Sequence, residues 1–247
     1  MRTLTLLFLL IPFWARSEEA TVAVAANFAP VLEELRLRFE SSSPHVLRIV
    51  SGSTGKLYAQ IVNGAPFDLF LAADVERPRL LEESGYGVAG SRFTYATGRL
   101  AAWSADAELI GDDLASTLGQ QRLRRLAIAN PALAPYGAAA REVIDALGMS
   151  GPLDGRLVMG ENVTQAFTLA ATGNADIGIV ALSTVLLSRG RRPGGYLEIP
   201  ISLHGPIRQD ALVLAHGRAN EAALAFVRFL KTDAVREEIA AFGYGAD

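Results

Sequence analysis

The chain contains no cysteine, and among its 247 residues only three histidines, three methionines and two tryptophans. The missing cysteine excludes disulfides, thiolate metal sites, a cysteine nucleophile and a lipid-anchored cysteine at a signal cleavage site. His45, His204 and His216 are scattered, with neither the His-x-x-x-His nor the His-Glu-x-x-His spacing that holds a metal on one helix face. No Gly-x-Ser-x-Gly elbow occurs: Ser51-Gly52-Ser53 runs on into Thr54, so a hydrolase triad lacks its nucleophile turn. The acidic pairs Glu33-Glu34 and Asp112-Asp113 are sequence neighbours that diverge on any regular element, which makes them solvated faces rather than an acid–base couple. A net charge of −3 argues against a nucleic-acid binder, since such proteins usually carry a basic face.

Long apolar runs are also scarce. The one near the N-terminus, Leu4 to Trp14, follows Arg2 and precedes Ala15-Arg16-Ser17. A basic start, a short apolar core and a small-residue exit predict a cleaved secretory signal over residues 1–17. The run is too short for a bilayer, which needs roughly 20 apolar residues. An exported chain without disulfides depends on its core, and half of these residues are hydrophobic.

Beyond the signal, strand and helix patterns alternate. Thr21–Ala26 is β-branched at every second position, and Val31, Leu32, Leu35 and Phe39 then recur at helical spacing, with Asn27 near the helix start and Pro30 in its first turn. Strands are also expected at 47–50, 67–72, 126–129, 157–159, 177–180 and 211–215. Helices are expected at 57–62, 77–84, 136–147, 164–171, 183–187 and 221–230. The alternation predicts an α/β fold with largely parallel sheets. Thr94–Trp103 is too long for one strand and has a glycine in its middle, and Leu197–Ser202 is a second extended stretch. Two such crossovers predict two lobes, 18–98 plus 203–247 and 99–202, with a ligand cleft between them.

Four strand-to-helix junctions, two per lobe, could face that cleft. Gly52-Ser53-Thr54-Gly55-Lys56 resembles a phosphate loop, but Val50 and Leu57 stand where a nucleotide-binding loop needs Gly and Ser/Thr. Its hydroxyls and helix start still suit a small anion, or else an ordinary helix cap. Asn27 occupies a second junction. In the central block, Asn130-Pro131-Ala132-Leu133-Ala134-Pro135-Tyr136-Gly137 brings a phenol to a helix start, and Gly160-Glu161-Asn162-Val163-Thr164 forms the fourth junction. Ligands of open α/β sheets bind at such carboxyl ends of strands.

The stretches VAVAANF, SGSTGKLYAQIVNGAPFDLFLAAD, TYATGRLAAW, NPALAPYGAAA, GENVTQAF and NADIGIVALS occur in an order that resembles the periplasmic molybdate-binding proteins, the solute receptors of molybdate ABC importers. The resemblance covers essentially the whole chain after the signal. It implies a two-lobed class II periplasmic-binding fold, each lobe a mixed, mostly parallel sheet flanked by helices, with a tetrahedral oxyanion enclosed between lobes. It implies contacts from Asn27, where many relatives have Ser; from Thr54 with Ser53 beside it; from Tyr136; and from the backbone N–H of Val163. The tyrosine some relatives carry after the Gly-Ile-Val strand is Ala181 here, so that donor is absent. The reading is of a monomeric periplasmic receptor, not an enzyme, that binds molybdate or tungstate. It would use no cofactor and no cation site, and would deliver its ion to a membrane permease and its ATPase. A sulfate or phosphate receptor, or an exported enzyme on the same fold, are the alternatives. Glu161 is the one acid at the four junctions and is expected to face solvent; Phe28 and Phe67 are expected in the core.

Overall fold

The computed structural model describes residues 17–245, so the signal assigned to residues 1–17 lies, Ser17 apart, outside the described residues. β1 (Glu19–Ala25) leads within four residues into α1 (Ala29–Ser42), followed by β2 (Val46–Gly52) and α2 (Thr54–Val62). β3 (Leu69–Leu71), α3 (Glu76–Glu83) and β4 (Phe93–Gly98) come next. The central block holds β5 (Leu100–Ser104), α4 (Leu114–Gly119), β6 (Leu126–Ala129), α5 (Pro135–Ala146), β7 (Leu157–Gly160), α6 (Val163–Ala171), β8 (Ile177–Ala181), α7 (Leu182–Ser188) and β9 (Gly195–Glu198). β10 (Ile207–Val213), α8 (Glu221–Leu230) and α9 (Asp233–Ala241) close the chain.

These strands form two five-stranded sheets, ordered β2-β1-β3-β10-β4 and β7-β6-β8-β5-β9. In each, four strands share a direction and one opposes its neighbours: β10 in the first and β5 in the second. The opposing strand is in both cases the one that arrives from the other sheet. β4 and β5 are separated by Arg99 alone, so one extended segment serves both sheets. The return segment from β9 is less extended than expected. Pro200, which has no N–H for the ladder, ends the strand, and Ile201–Leu203 turns as a 3-10 helix before β10. Arg99 Nη2 donates to Glu198 Oε2 at 2.7 Å and ties the two crossings together.

Burial follows the periodicities. Val31, Leu32, Leu35 and Phe39 of α1 are buried, while Arg36 on the opposite face pairs with Glu33 and Glu40. Each such side chain contributes roughly 1.5–3 kcal/mol by leaving water. Phe28 and Phe67 are core residues as expected. Asp113 is more than a solvated face: its carboxylate accepts from Ser116 N at 2.8 Å and caps α4. The lobes also meet, because Ala25, Ala73 and Ile207 of the first sheet's side belong to the same apolar cluster as the second lobe's core.

Candidate functional site

All four junctions converge on one small cavity between the sheets, lined by Ala25, Ala26, Asn27, Gly52, Ser53, Thr54, Ala134, Pro135, Tyr136, Asn162 and Val163. All five residues singled out in the sequence line it, from both lobes, and all five are buried. The cavity contains about 190 Å³ of empty space, some of it open to solvent. Sites for drug-sized organic ligands usually measure about 300–1,000 Å³, so this space has no room for one. No charged side chain lines it.

Each donor is presented by local geometry. Ser53 has an extended backbone and forms the N-cap of α2, so that helix begins at Thr54, three residues before the apolar pattern reveals it. Its hydroxyl makes no cap bond; Ser53 Oγ is buried and has no hydrogen-bond partner. Buried hydroxyls are normally satisfied, and one left orphaned costs about 1–3 kcal/mol. Thr54 Oγ1 accepts from Ala73 N at 3.1 Å, which holds the side chain and leaves its proton free. Val163 is the first residue of α6, capped by Asn162, whose side chain accepts from Gln165 N at 3.0 Å. The first N–H groups of a helix have no partner within it. Accordingly, among the described residues the N–H groups of Asn27, Ser53, Thr54, Tyr136 and Val163 meet no protein acceptor.

Tyr136 stands in the first turn of α5, where its oxygen receives Gln209 Nε2 at 3.1 Å and Asn27 Nδ2 at 3.4 Å. Burial, reinforced by the neighbouring Tyr244, pushes this phenol well above its ordinary value, so it stays protonated as a donor. The Asn27 side-chain amide is turned toward neighbouring side chains. Its Nδ2 is committed to Gln209 Oε1 at 2.8 Å and Tyr244 Oη at 3.1 Å, so its N–H toward the cavity is the main-chain one. Gln209, Tyr244 and Tyr95 were not singled out in the sequence. A glutamine in an otherwise buried strand was the available signal, since Gln209 is fully buried within β10.

The phosphate-loop glycines also differ in role. The Gly55 N–H does not face the cavity; it donates to Leu133 O of the other lobe at 2.9 Å. A Cβ at Gly55 would stand 3.1 Å from that same carbonyl, so the missing side chain lets the lobes close. Thr164 Oγ1 adds a second bond across the cleft, to Ala26 O at 3.0 Å. Glu161 is absent from the cavity wall and pairs instead with Lys56 across the mouth at 3.2 Å, so it does not repel an anion from inside. Ala181 is buried and leaves no hydroxyl at the cleft, as its residue type requires. Among the described residues no group of three His, Asp or Glu could hold a metal ion, and the three histidines lie away from the cavity wall.

Two lobes of matching topology, closed over a small cavity lined with neutral donors, define a solute-binding protein rather than an enzyme. The chain belongs to the bacterial extracellular solute-binding proteins, whose family model matches residues 20–245. It is 45% identical to the molybdate-binding protein ModA of Azotobacter vinelandii over 231 residues, covering 94% of this chain and 91% of that protein. It is 44% identical to ModA of Rhodobacter capsulatus, with 93% and 89% covered. The solved structure of the Azotobacter vinelandii periplasmic molybdate-binding protein superposes with a TM-score of 0.87 at 37% identity, covering 92% of this chain and 99% of that one. The resemblance carried by the six motifs therefore extends over the fold as a whole.

Proposed function

We propose that the chain captures molybdate, and tungstate with it, in the periplasm and delivers the ion to the permease and ATPase of an ABC importer. The observation that carries the reading is the orphaned hydroxyl of Ser53, buried in a small cavity beside main-chain N–H groups that likewise meet no protein acceptor. A tetrahedral dianion supplies oxygen acceptors to all of them at once: the Ser53, Thr54 and Tyr136 hydroxyls and the main-chain N–H groups of Asn27 and Val163. N–H dipoles and helix starts stabilise the charge without a cation, so the load can also be released. The ion is cargo, and the reading needs no cofactor and no second subunit. The apolar run at 4–14 serves as the export signal.

Selection among dianions follows from shape and protonation. Molybdate and tungstate are nearly equal in size and larger than sulfate, which would leave donors stretched. Hydrogen phosphate carries a proton that needs an acceptor, and no carboxylate lines the cavity. Isothermal titration of the purified protein with molybdate, tungstate, sulfate and phosphate tests this. One-to-one binding of the first two alone is expected. Binding of sulfate or phosphate would overturn the ligand, and silence from all four would overturn the site.

A further inference from the structure

The buried amide of Gln209 does not line the cavity, yet it hydrogen-bonds to Asn27 and Tyr136, which do, and to Tyr95 behind them. Its place in the network has a direction that main-chain chemistry fixes. The carbonyl of Asn27 can only accept, so Tyr244 Oη, 3.0 Å away, spends its single proton there. Tyr244 must then accept from its other neighbours, and Ser183 Oγ at 3.2 Å and the Asn27 side chain at 3.1 Å take its two lone pairs, with Tyr136 also beside it. That requirement makes the inward atom of the Asn27 amide its nitrogen. The same nitrogen lies 2.8 Å from Gln209, whose facing atom is therefore the oxygen. Tyr95 Oη, which shares its proton between Ala72 O at 3.0 Å and Gln209 Oε1 at 3.1 Å, meets that oxygen too.

With its oxygen so engaged, Gln209 has its amide nitrogen left for Tyr136, 3.1 Å away. The phenol oxygen thus accepts from Gln209 and, more weakly, from Asn27, and the network oxygen nearest its own proton, Tyr244 Oη, already accepts from Ser183 and Asn27. We infer that Gln209 is a positioning residue: by donating to the Tyr136 oxygen, it turns the Tyr136 hydroxyl proton toward the oxyanion cavity. This rests on the reading of Tyr136 as an oxyanion contact. The fully buried Gln209 and the cavity-lining Tyr136 come from different lobes, so the bond that aims the donor exists only when the lobes are closed. Lobe closure and donor orientation are in this way one event. The Gly98 backbone allows the approach, since a Cβ there would stand 2.3 Å from the Tyr136 oxygen and 2.8 Å from Gln209 Nε2.

A double-mutant cycle on molybdate affinity, with ultraviolet difference spectra as a second readout, tests the inference. Tyr136→Phe should weaken binding by about tenfold or more, the worth of a hydrogen bond to a charged group. Gln209→Met keeps the length of the side chain but removes its donor, and should weaken binding by a similar factor. It should also abolish the ligand-induced red shift of the tyrosine band that marks a phenol donating to an anion. In the Tyr136→Phe background Gln209→Met should cost nothing further. Multiplying effects in the double variant, or an unchanged tyrosine band in Gln209→Met, would overturn the positioning role while leaving Tyr136 as a contact. Unchanged affinity in Tyr136→Phe would overturn both. A measurement on the native protein covers the case in which Gln209→Met fails to fold. With tyrosine labelled at Cζ, molybdate should move the Tyr136 resonance in the direction of a stronger donor and leave Tyr95 and Tyr244 in place. An unmoved Tyr136 resonance would count against the inference.

Discussion

Replacing Ser53 by alanine separates a ligand contact from a helix cap, because the two roles predict opposite effects on the empty protein. A serine that caps its helix loses about 0.5–2 kcal/mol of stability when truncated. Ser53 makes no such bond, and its oxygen is buried without a partner. Removing it takes away an orphaned hydroxyl rather than a hydrogen bond. The ligand-free variant should therefore be as stable as the native protein, or more stable by up to about 1 kcal/mol, since an unsatisfied buried polar group costs about 1–3 kcal/mol. The liganded state loses a charge-assisted bond worth about 1.5–3 kcal/mol, which is roughly a 10- to 150-fold rise in Kd. Urea denaturation without ligand gives the first quantity and titration with molybdate the second. Thermal shift at saturating ligand gives a cross-check, because the stabilisation scales as RT ln(1 + [L]/Kd). A variant that unfolds at lower urea yet binds with native affinity would refute the reasoning and return Ser53 to the role of a cap.

Three further outcomes follow from the same geometry. Burial pushes Tyr244 up to about 12 and holds Tyr95 and Tyr136 well above the ordinary value. The unfolded chain releases these protons near pH ~10, so stability is untouched below that and falls as pH rises toward the folded values, by about 1.4 kcal/mol per pH unit for each tyrosine. Urea midpoints flat between pH 9 and pH 11 would contradict the buried network. The Lys56–Glu161 pair spans the cleft mouth in partly exposed surroundings, where such a pair contributes at most about 1 kcal/mol. Lys56→Ala should speed molybdate release less than about fivefold, with the difference vanishing at high salt; a larger, salt-insensitive effect would mean that Lys56 reaches the ligand. Gly98→Ala places a methyl 2.3 Å from the Tyr136 oxygen. That overpacking should cost about 1–3 kcal/mol of stability and weaken binding at least tenfold, and native affinity in a folded variant would show that Tyr136 need not hold its position.

The cavity residues were legible because they are local. A helix start reads out of a few neighbouring residues: an apolar period beginning, a Ser, Asn or Thr before it, a Pro in its first turn. Asn27, Ser53, Thr54, Tyr136 and Val163 all stand at such starts, and the motif resemblance marks the same positions. Where local pattern was ambiguous, boundaries moved. The helix at 57–62 begins at Thr54 because Ser53 adopts a capping conformation, and the extended stretch expected to Ser202 stops at Pro200. The bond from Gly55 N–H was not legible for a related reason: its partner, Leu133, lies in the other lobe and leaves no trace near residue 55.

What the sequence by itself determined is the alternation of strand and helix, the two crossings between lobes, and the neutral donors at four junctions, because periodicity and capping act over a few residues. Only the tertiary structure decided what those donors are free to do. The Asn27 amide is taken by Gln209, 182 positions away, and by Tyr244, 217 positions away, while Ser53 is left without a partner. A hydrogen bond depends on distance in space and on which lone pairs and protons remain unspent, and no spacing along the chain records either.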